Sequence, residues 1–281
     1  SYDGSFSETT TASFSADFAI GAVDGKGIRT GRTDGDEDLQ AVYGFQIDLN
    51  TSFTGEDSLD ISLDAGNAPS GTPLAELDLN GEYAVSTPDV LAVDGVSYTF
   101  PVGDSMTVIV GDNTDGSALF TTACAYGGPS NTLDDCGNVN AGITNGGAMA
   151  GASYDFGNGI TAAVGYAGPE TGLMTDEGLD AYGANVAYTA DSYGVSVTYG
   201  NVESTGIVAA GEVDTYTALN AYYTFDNGMS ISAGYELGDF GGATPATDES
   251  VNYFFGINGE VGVGELGAAL GTSGGQREGT D

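Results

Sequence analysis

Apolar and polar residues alternate with period two along nearly the whole chain, the pattern of β-strands whose two faces meet different surroundings. Ala12, Phe14, Ala16, Phe18 and Ile20 form one apolar stripe, with Ser13, Ser15 and Asp17 between them. Leu39, Ala41, Tyr43, Phe45, Ile47 and Leu49 form a second, and Leu59, Ile61, Leu63 and Ala65 a third; these two read as a hairpin. Further stripes meet across tight turns rich in the residues that tolerate positive φ. Val96–Val102 faces Met106–Val110 across Gly103-Asp104-Ser105, and Tyr154 and Phe156 face Ile160–Tyr166 across Gly157-Asn158-Gly159. Tyr182–Tyr188 faces Tyr193–Tyr199 across Ala190-Asp191-Ser192, and Tyr223 and Phe225 face Met229–Tyr235 across Asp226-Asn227-Gly228. Val251–Ile257 and Leu266–Leu270 complete the series, which predicts 13 or 14 strands.

The connections alternate in length, with tight turns at one end of the strands and loops over 111–146, 167–178, 200–214 and 236–249 at the other. That asymmetry belongs to an outer-membrane β-barrel. Aromatic residues sit beside the tight turns (Tyr154, Phe156, Tyr188, Tyr193, Tyr223, Phe225) and again toward the loop ends (Tyr166, Tyr182, Tyr199, Tyr235), as in girdles at two membrane interfaces. Tyr182 and Tyr188 are separated by only about 14 Å of height at about 3.3 Å per residue and about 45° tilt. The apolar band is about 25 Å tall, so some of these rings lie within it or mark one interface only. Lipocalin-like barrels, jelly rolls and β-helices also alternate. In this chain the face between the stripes carries Gly, Ser, Thr, Asn and Asp instead of surface Lys and Glu, which fits a water-filled lumen better.

Length and composition allow one all-β domain of 281 residues, with 47 glycines but only 7 prolines and no tryptophan. Hydrophobic residues at 40% exclude a disordered chain. No run approaches about 18 apolar residues, so no transmembrane helix is expected; barrel strands need far fewer. Charge is the largest anomaly: 41 acidic residues face 4 basic ones without a histidine, a net charge of −37. Nucleic-acid binding, which needs Lys and Arg against phosphate, is excluded. The usual histidine-containing metal sites and Ser-His or Cys-His relays cannot be built either, so an enzyme is not expected. No cofactor and no metal site is assigned.

Three features carry candidate chemistry. Cys124 and Cys136 bracket a short stretch of the longest loop and read as a disulfide, either stiffening a loop folded into the pore or stapling an external one. Lys26, Arg29 and Arg32 precede Asp34 and Asp36; opposed charges of this kind set selectivity at a pore constriction, and they also suit a solvated surface loop. Asp34–Asp38 and Asp112–Asp115 resemble pieces of a Ca²⁺ loop but lack its full spacing, which leaves nonspecific cation accumulation. The glycines match no phosphate-binding motif and are read as relieving crowding and bending in a curved sheet.

The stretches Val93–Asp104, Thr121–Ser130 with its cysteine, Gly151–Gly159 and Tyr182–Tyr199 resemble the barrel of cyanobacterial major outer-membrane porins, near the carbohydrate-selective porin family. The resemblance spans much of residues 39–271. It implies sixteen or more strands, a homotrimer in outer-membrane lipid, and an S-layer-homology domain that grips a peptidoglycan-linked polymer. Because no such domain and no terminal aromatic strand is visible, residues 1–281 are read as a barrel portion incomplete at both ends. The expected fold is thus a transmembrane antiparallel up-and-down β-barrel. The expected function is an outer-membrane porin, passing small hydrophilic solutes and ions with a weak preference for cations. The alternative is a structural or adhesive surface β-protein, assembled into a fibre or shell, that transports nothing.

Overall fold

A computed structural model of the chain describes residues 9–21, 39–67, 89–127, 133, 135–144, 147–175, 179–204, 212–241, 249–272 and 276–277. Among these residues it contains 14 β-strands and no helix. The chain forms two compact units that divide between Tyr98 and Thr99.

The first unit holds β1 (Thr10–Gly21), β2 (Gln40–Thr51), β3 (Ser58–Gly66) and the start of β4 (Ala92–Val102). β1 pairs antiparallel with β2 from Thr10↔Thr51 to Gly21↔Gln40, and β2 with β3 from Gly44↔Gly66 to Thr51↔Leu59. This register sets Phe14, Ile47 and Leu63 side by side on one face and Ser13, Asp48 and Ser62 on the other. The predicted hairpin of the second and third stripes is therefore present. Its turn is organised by Asp57, whose Oδ1 accepts hydrogen bonds from the backbone N–H groups of Phe53 and Thr54 and the hydroxyls of Ser52 and Thr54. The Tyr98 hydroxyl donates to its Oδ2 at 2.6 Å.

The second unit continues with β5 (Met106–Asp112), β6 (Ala148–Gly157), β7 (Ile160–Gly168), β8 (Ala181–Thr189) and β9 (Tyr193–Ser204). It ends with β10 (Glu212–Thr224), β11 (Ser230–Phe240), β12 (Glu249–Val261), β13 (Gly264–Gly271) and β14 (Gln276–Arg277). From β5 to β13 each strand pairs antiparallel with its successor. The short β14, which the alternation does not announce, adds to β12 through Ser250↔Arg277 and Val251↔Gln276. Tight turns follow β4, β6, β8 and β10, and the longer connections follow β5, β7, β9 and β11, as the sequence predicts; a further tight turn follows β12. Asn158, flanked by Gly157 and Gly159, takes a φ of 53°, which Asn tolerates better than most residues, and a register shift marks the end of β6.

The two faces of the second unit differ sharply. Along β8 to β12 the apolar stripe is exposed: Val186, Val195, Val197, Leu219, Tyr235, Leu237, Tyr253 and Phe255 all lie open. The intervening residues, among them Asn185, Ser196, Thr198, Ala218, Asn220, Ser232, Glu236 and Asn252, are buried. A water-soluble protein of this kind would bury the first set and expose the second.

Candidate functional site

The polar face of β7 to β12 is buried because the long connection between β5 and β6 lies on it. The outgoing run of this loop crosses the strands in an extended path. Thr121 donates its backbone N–H to Asn185 Oδ1 on β8 at 3.0 Å, and Ala123 donates to Ser196 Oγ on β9 at 2.9 Å. Ala125 donates to Ser232 Oγ on β11 at 2.9 Å, and its carbonyl accepts from Asn258 Nδ2 on β12. Short polar side chains of successive strands thus satisfy the backbone of a segment that has no strand partner of its own, as burial requires.

The returning run is tied at two further places. The Cys136 carbonyl accepts from Asn220 Nδ2 on β10 at 2.9 Å. Glu236 of β11, with no exposed surface, accepts from the backbone N–H groups of Asn140 and Ala141 and from the side-chain amides of Asn140 and Asn252, all at 2.8–3.0 Å. A buried carboxylate is costly unless its oxygens are met by donors, and four donors meet this one. The Cys124–Cys136 disulfide joins the two runs, with the Cα atoms 6.3 Å apart. The sequence reading of a bridge is thereby realised, and the loop it closes belongs to the polar face.

Glycine makes this seating possible, a role the sequence pattern did not reveal. Gly165 of β7 faces the carbonyl of Gly116, Gly183 of β8 the ring of Phe120, and Gly200 of β9 the backbone of Ala141. Gly234 of β11 faces the carbonyl of Cys136, and Gly256 of β12 with Gly267 of β13 lies under Tyr126. At Gly165 and Gly234 a Cβ would overlap the loop backbone. These glycines share the face that carries the buried polar residues, so they form a shallow track across the strands. Leu119 fills one end by packing on Ile109, Met149 and Ala167, and Ala141 fills another against Tyr216 and Ala218.

On the opposite face aromatic residues cluster at both ends of the strands. Near the tight turns Tyr154 packs edge-on against Phe156, Tyr188 lies 5.7 Å from Tyr193 by ring centroid, and Tyr223 contacts Phe225. Toward the loop ends Tyr166 meets Tyr182 at 5.4 Å, with Tyr199 and Tyr235 exposed on neighbouring strands. The Tyr166 hydroxyl donates to the buried Asp180 carboxylate just before β8.

The first unit presents a polar face of a different kind, with carboxylates braced by neutral donors. Asp48 of β2 accepts from Gln46, Ser62 and Ser13, and Asp60 of β3 from Asn50 and Ser58. The candidate constriction residues Lys26, Arg29, Arg32, Asp34 and Asp36 lie outside the described residues. Among the described residues no group of three or more Cys, Asp or Glu is placed to hold a metal ion.

No protein-family model and no curated protein matches the chain. Solved structures do match it. A variant of the Rhodopseudomonas blastica porin aligns over 94% of this chain and 94% of its own, with a TM-score of 0.57 at 13% identity. A triple mutant of the same porin gives the same values, and a further variant a TM-score of 0.51 at 12% identity. The fold is the porin fold. An up-and-down porin sheet turns one face inward and the other outward, with tight turns at one end and long loops at the other. The exposed apolar face and the loop-covered polar face of this chain are the two sides of such a sheet.

Proposed function

We propose that the chain forms a water-filled channel in an outer membrane through which small hydrophilic solutes and ions diffuse passively. One observation carries this reading: the apolar side chains of β8 to β12 are exposed while the polar face behind them holds a hydrogen-bonded loop. An exposed apolar band satisfies lipid, and a closed sheet would leave no backbone group unpaired there. A loop laid along the polar face narrows whatever passage that face borders, so its described parts, residues 113–127 and 135–144, are the proposed constriction element. The aromatics Tyr154, Phe156, Tyr166, Tyr188, Tyr193, Tyr199, Tyr223, Phe225 and Tyr235 are proposed to lie at the membrane interfaces.

With 41 acidic residues against 4 basic ones, the channel is proposed to favour cations weakly, an effect that salt screens over about 8 Å at physiological ionic strength. Assembly as a homotrimer and attachment to a peptidoglycan-linked polymer through a further domain are what the cyanobacterial resemblance implies, and they belong to the same proposal. Reconstitution into planar bilayers tests the reading: stepwise single-channel currents are expected, with reversal potentials in a KCl gradient on the cation side. Absence of any current from folded protein, together with solubility free of detergent, would favour the fibre or shell instead.

A further inference from the structure

The polar face of β2 and β3 carries a row of carboxylates, and one of them differs from the rest. Asp48 accepts from Gln46 Nε2 at 2.7 Å, from Ser62 Oγ at 2.8 Å and from Ser13 Oγ. Asp60 accepts from Asn50 Nδ2 on one oxygen and from Ser58 Oγ on the other, both at 2.6 Å. Asp64, two pleats along from Asp60 on the same side of β3, is only 3% exposed, and its buried Oδ1 has no hydrogen-bond partner. A second carboxylate, that of Asp94 on β4, lies within electrostatic reach of it.

A buried carboxylate oxygen without a donor is expensive, and a neighbouring carboxylate makes it more so. Asp48 and Asp60 show that this surface has Ser, Asn and Gln side chains to brace a carboxylate, yet Asp64 Oδ1 receives none of them. The uncompensated oxygen and its like-charged neighbour together call for a positive charge. With no cluster of three ligands among the described residues, this is not a closed structural metal centre. Two carboxylates instead suit a single small hard cation held directly by their oxygens.

We infer that Asp64, with Asp94, is a cation-binding site on the polar wall, taking a small inorganic cation, and that it sets the channel's charge preference. The selectivity part of this inference rests on the channel reading; the binding part does not. The test compares Asp64→Asn with Asp60→Asn, which removes a charge that already has its hydrogen bonds, and with Asp94→Asn on the neighbouring strand. In planar bilayers the K⁺/Cl⁻ permeability ratio is expected to fall by roughly twofold or more in Asp64→Asn and Asp94→Asn, and by less in Asp60→Asn. In detergent-folded protein, terbium(III) luminescence excited through tyrosine is expected to weaken in the same order.

Should Asp64→Asn change the two measurements no more than Asp60→Asn does, the inference is overturned; an Asp64 that merely held a proton would lose no charge on substitution and would change neither. If Asp64→Asn fails to fold, Asp94→Asn decides between these outcomes. A wild-type protein that carries no current but whose terbium signal drops selectively in Asp64→Asn would sink the channel reading and leave the cation site standing.

Discussion

Gly234 of β11 lies directly against the carbonyl oxygen of Cys136, and that same carbonyl accepts the Asn220 amide at 2.9 Å. A side chain at Gly234 would have to push the loop off the sheet. Gly234→Ala is therefore expected to destabilise the folded protein by about 1–3 kcal/mol, the range for overpacking a tight site. Gly264→Ala meets open space and is expected to be neutral or to stabilise by about 0.4–1 kcal/mol, through a less flexible unfolded chain. Thermal unfolding of both variants in detergent micelles checks the contrast. Equal effects would mean that the loop does not lie against β11.

Glu236 holds the returning run of the loop through four donors, and its variants separate charge from shape. Glu236→Gln keeps the outline but turns an amide NH₂ toward groups that themselves donate. Hydrogen bonds to a charged acceptor contribute about 1.5–3 kcal/mol each, so a loss of about 3 kcal/mol is expected even with partial rearrangement. Limited proteolysis should then cut between residues 135 and 144 faster than in the wild type, while the strands survive. Unchanged protection would show that the disulfide alone fixes this run.

Reduction of Cys124–Cys136 provides the converse experiment. The bridge closes a short loop with a sequence separation of 12, and its removal is expected to cost about 3 kcal/mol through the greater freedom of the unfolded chain. The hydrogen bonds that the loop donates to Asn185, Ser196, Ser232 and Glu236 remain, so the loop is expected to stay on the sheet. Cys124→Ser/Cys136→Ser should unfold at lower temperature than the wild type and show the same single-channel conductance within roughly a factor of two. A severalfold larger conductance would mean that the disulfide, and not the row of contacts to the sheet, holds the constriction in place.

Strand positions and pairing partners were legible because each stripe carries its own register. Ala12 to Ile20 and Leu39 to Leu49 place the same face toward the same side, and the tight turns at Gly103, Asn158 and Asn227 leave few other ways to pair them. The seating of the long loop was not legible. Its contacts link Ala123 to Ser196 and Asn140 to Glu236, residues separated by much of the chain, and no periodicity connects them. The glycines carried a signal that the alternation alone does not decode: Gly165, Gly183, Gly200, Gly234 and Gly256 fall at strand positions on the polar side, each against the loop. Curvature alone explains their abundance but not that common face.

Asp57 gives the first unit a measurable dependence on pH. It lies in the turn between β2 and β3, and its carboxyl is held far below the usual carboxylate range, foremost by the Tyr98 hydroxyl and then by Thr54 and Ser52. A depressed folded value means that its contribution is fully present above the unfolded value, near 3.8, and is lost as pH falls through the folded one. Asp57→Asn should therefore be less stable than the wild type at neutral pH, and the difference should shrink only in strong acid. Acid titration of unfolding in both proteins checks this, with Tyr98→Phe expected to move the wild-type profile part of the way toward Asp57→Asn. A gap that stays constant down to the lowest pH would rule out the hydrogen-bonded carboxylate as its cause.

Val197 and Thr198 are neighbours on β9 that face opposite ways, Val197 being 45% exposed and Thr198 fully buried. They distinguish membrane from water. Val197→Arg places a charge in the middle of the exposed apolar stripe, between Val186 of β8 and Leu219 of β10. In water such a change at a half-exposed site shifts stability by no more than about 0.5 kcal/mol. Against lipid, arginine near the bilayer midplane costs about 2–4 kcal/mol. Folding into bilayers across a urea series should therefore show a penalty of about 2–4 kcal/mol for Val197→Arg, falling to about 0–1 kcal/mol for the same change at Val261, beside the tight turn after β12. A uniform, small effect at both positions would place the apolar stripe in water and remove the ground for a membrane channel.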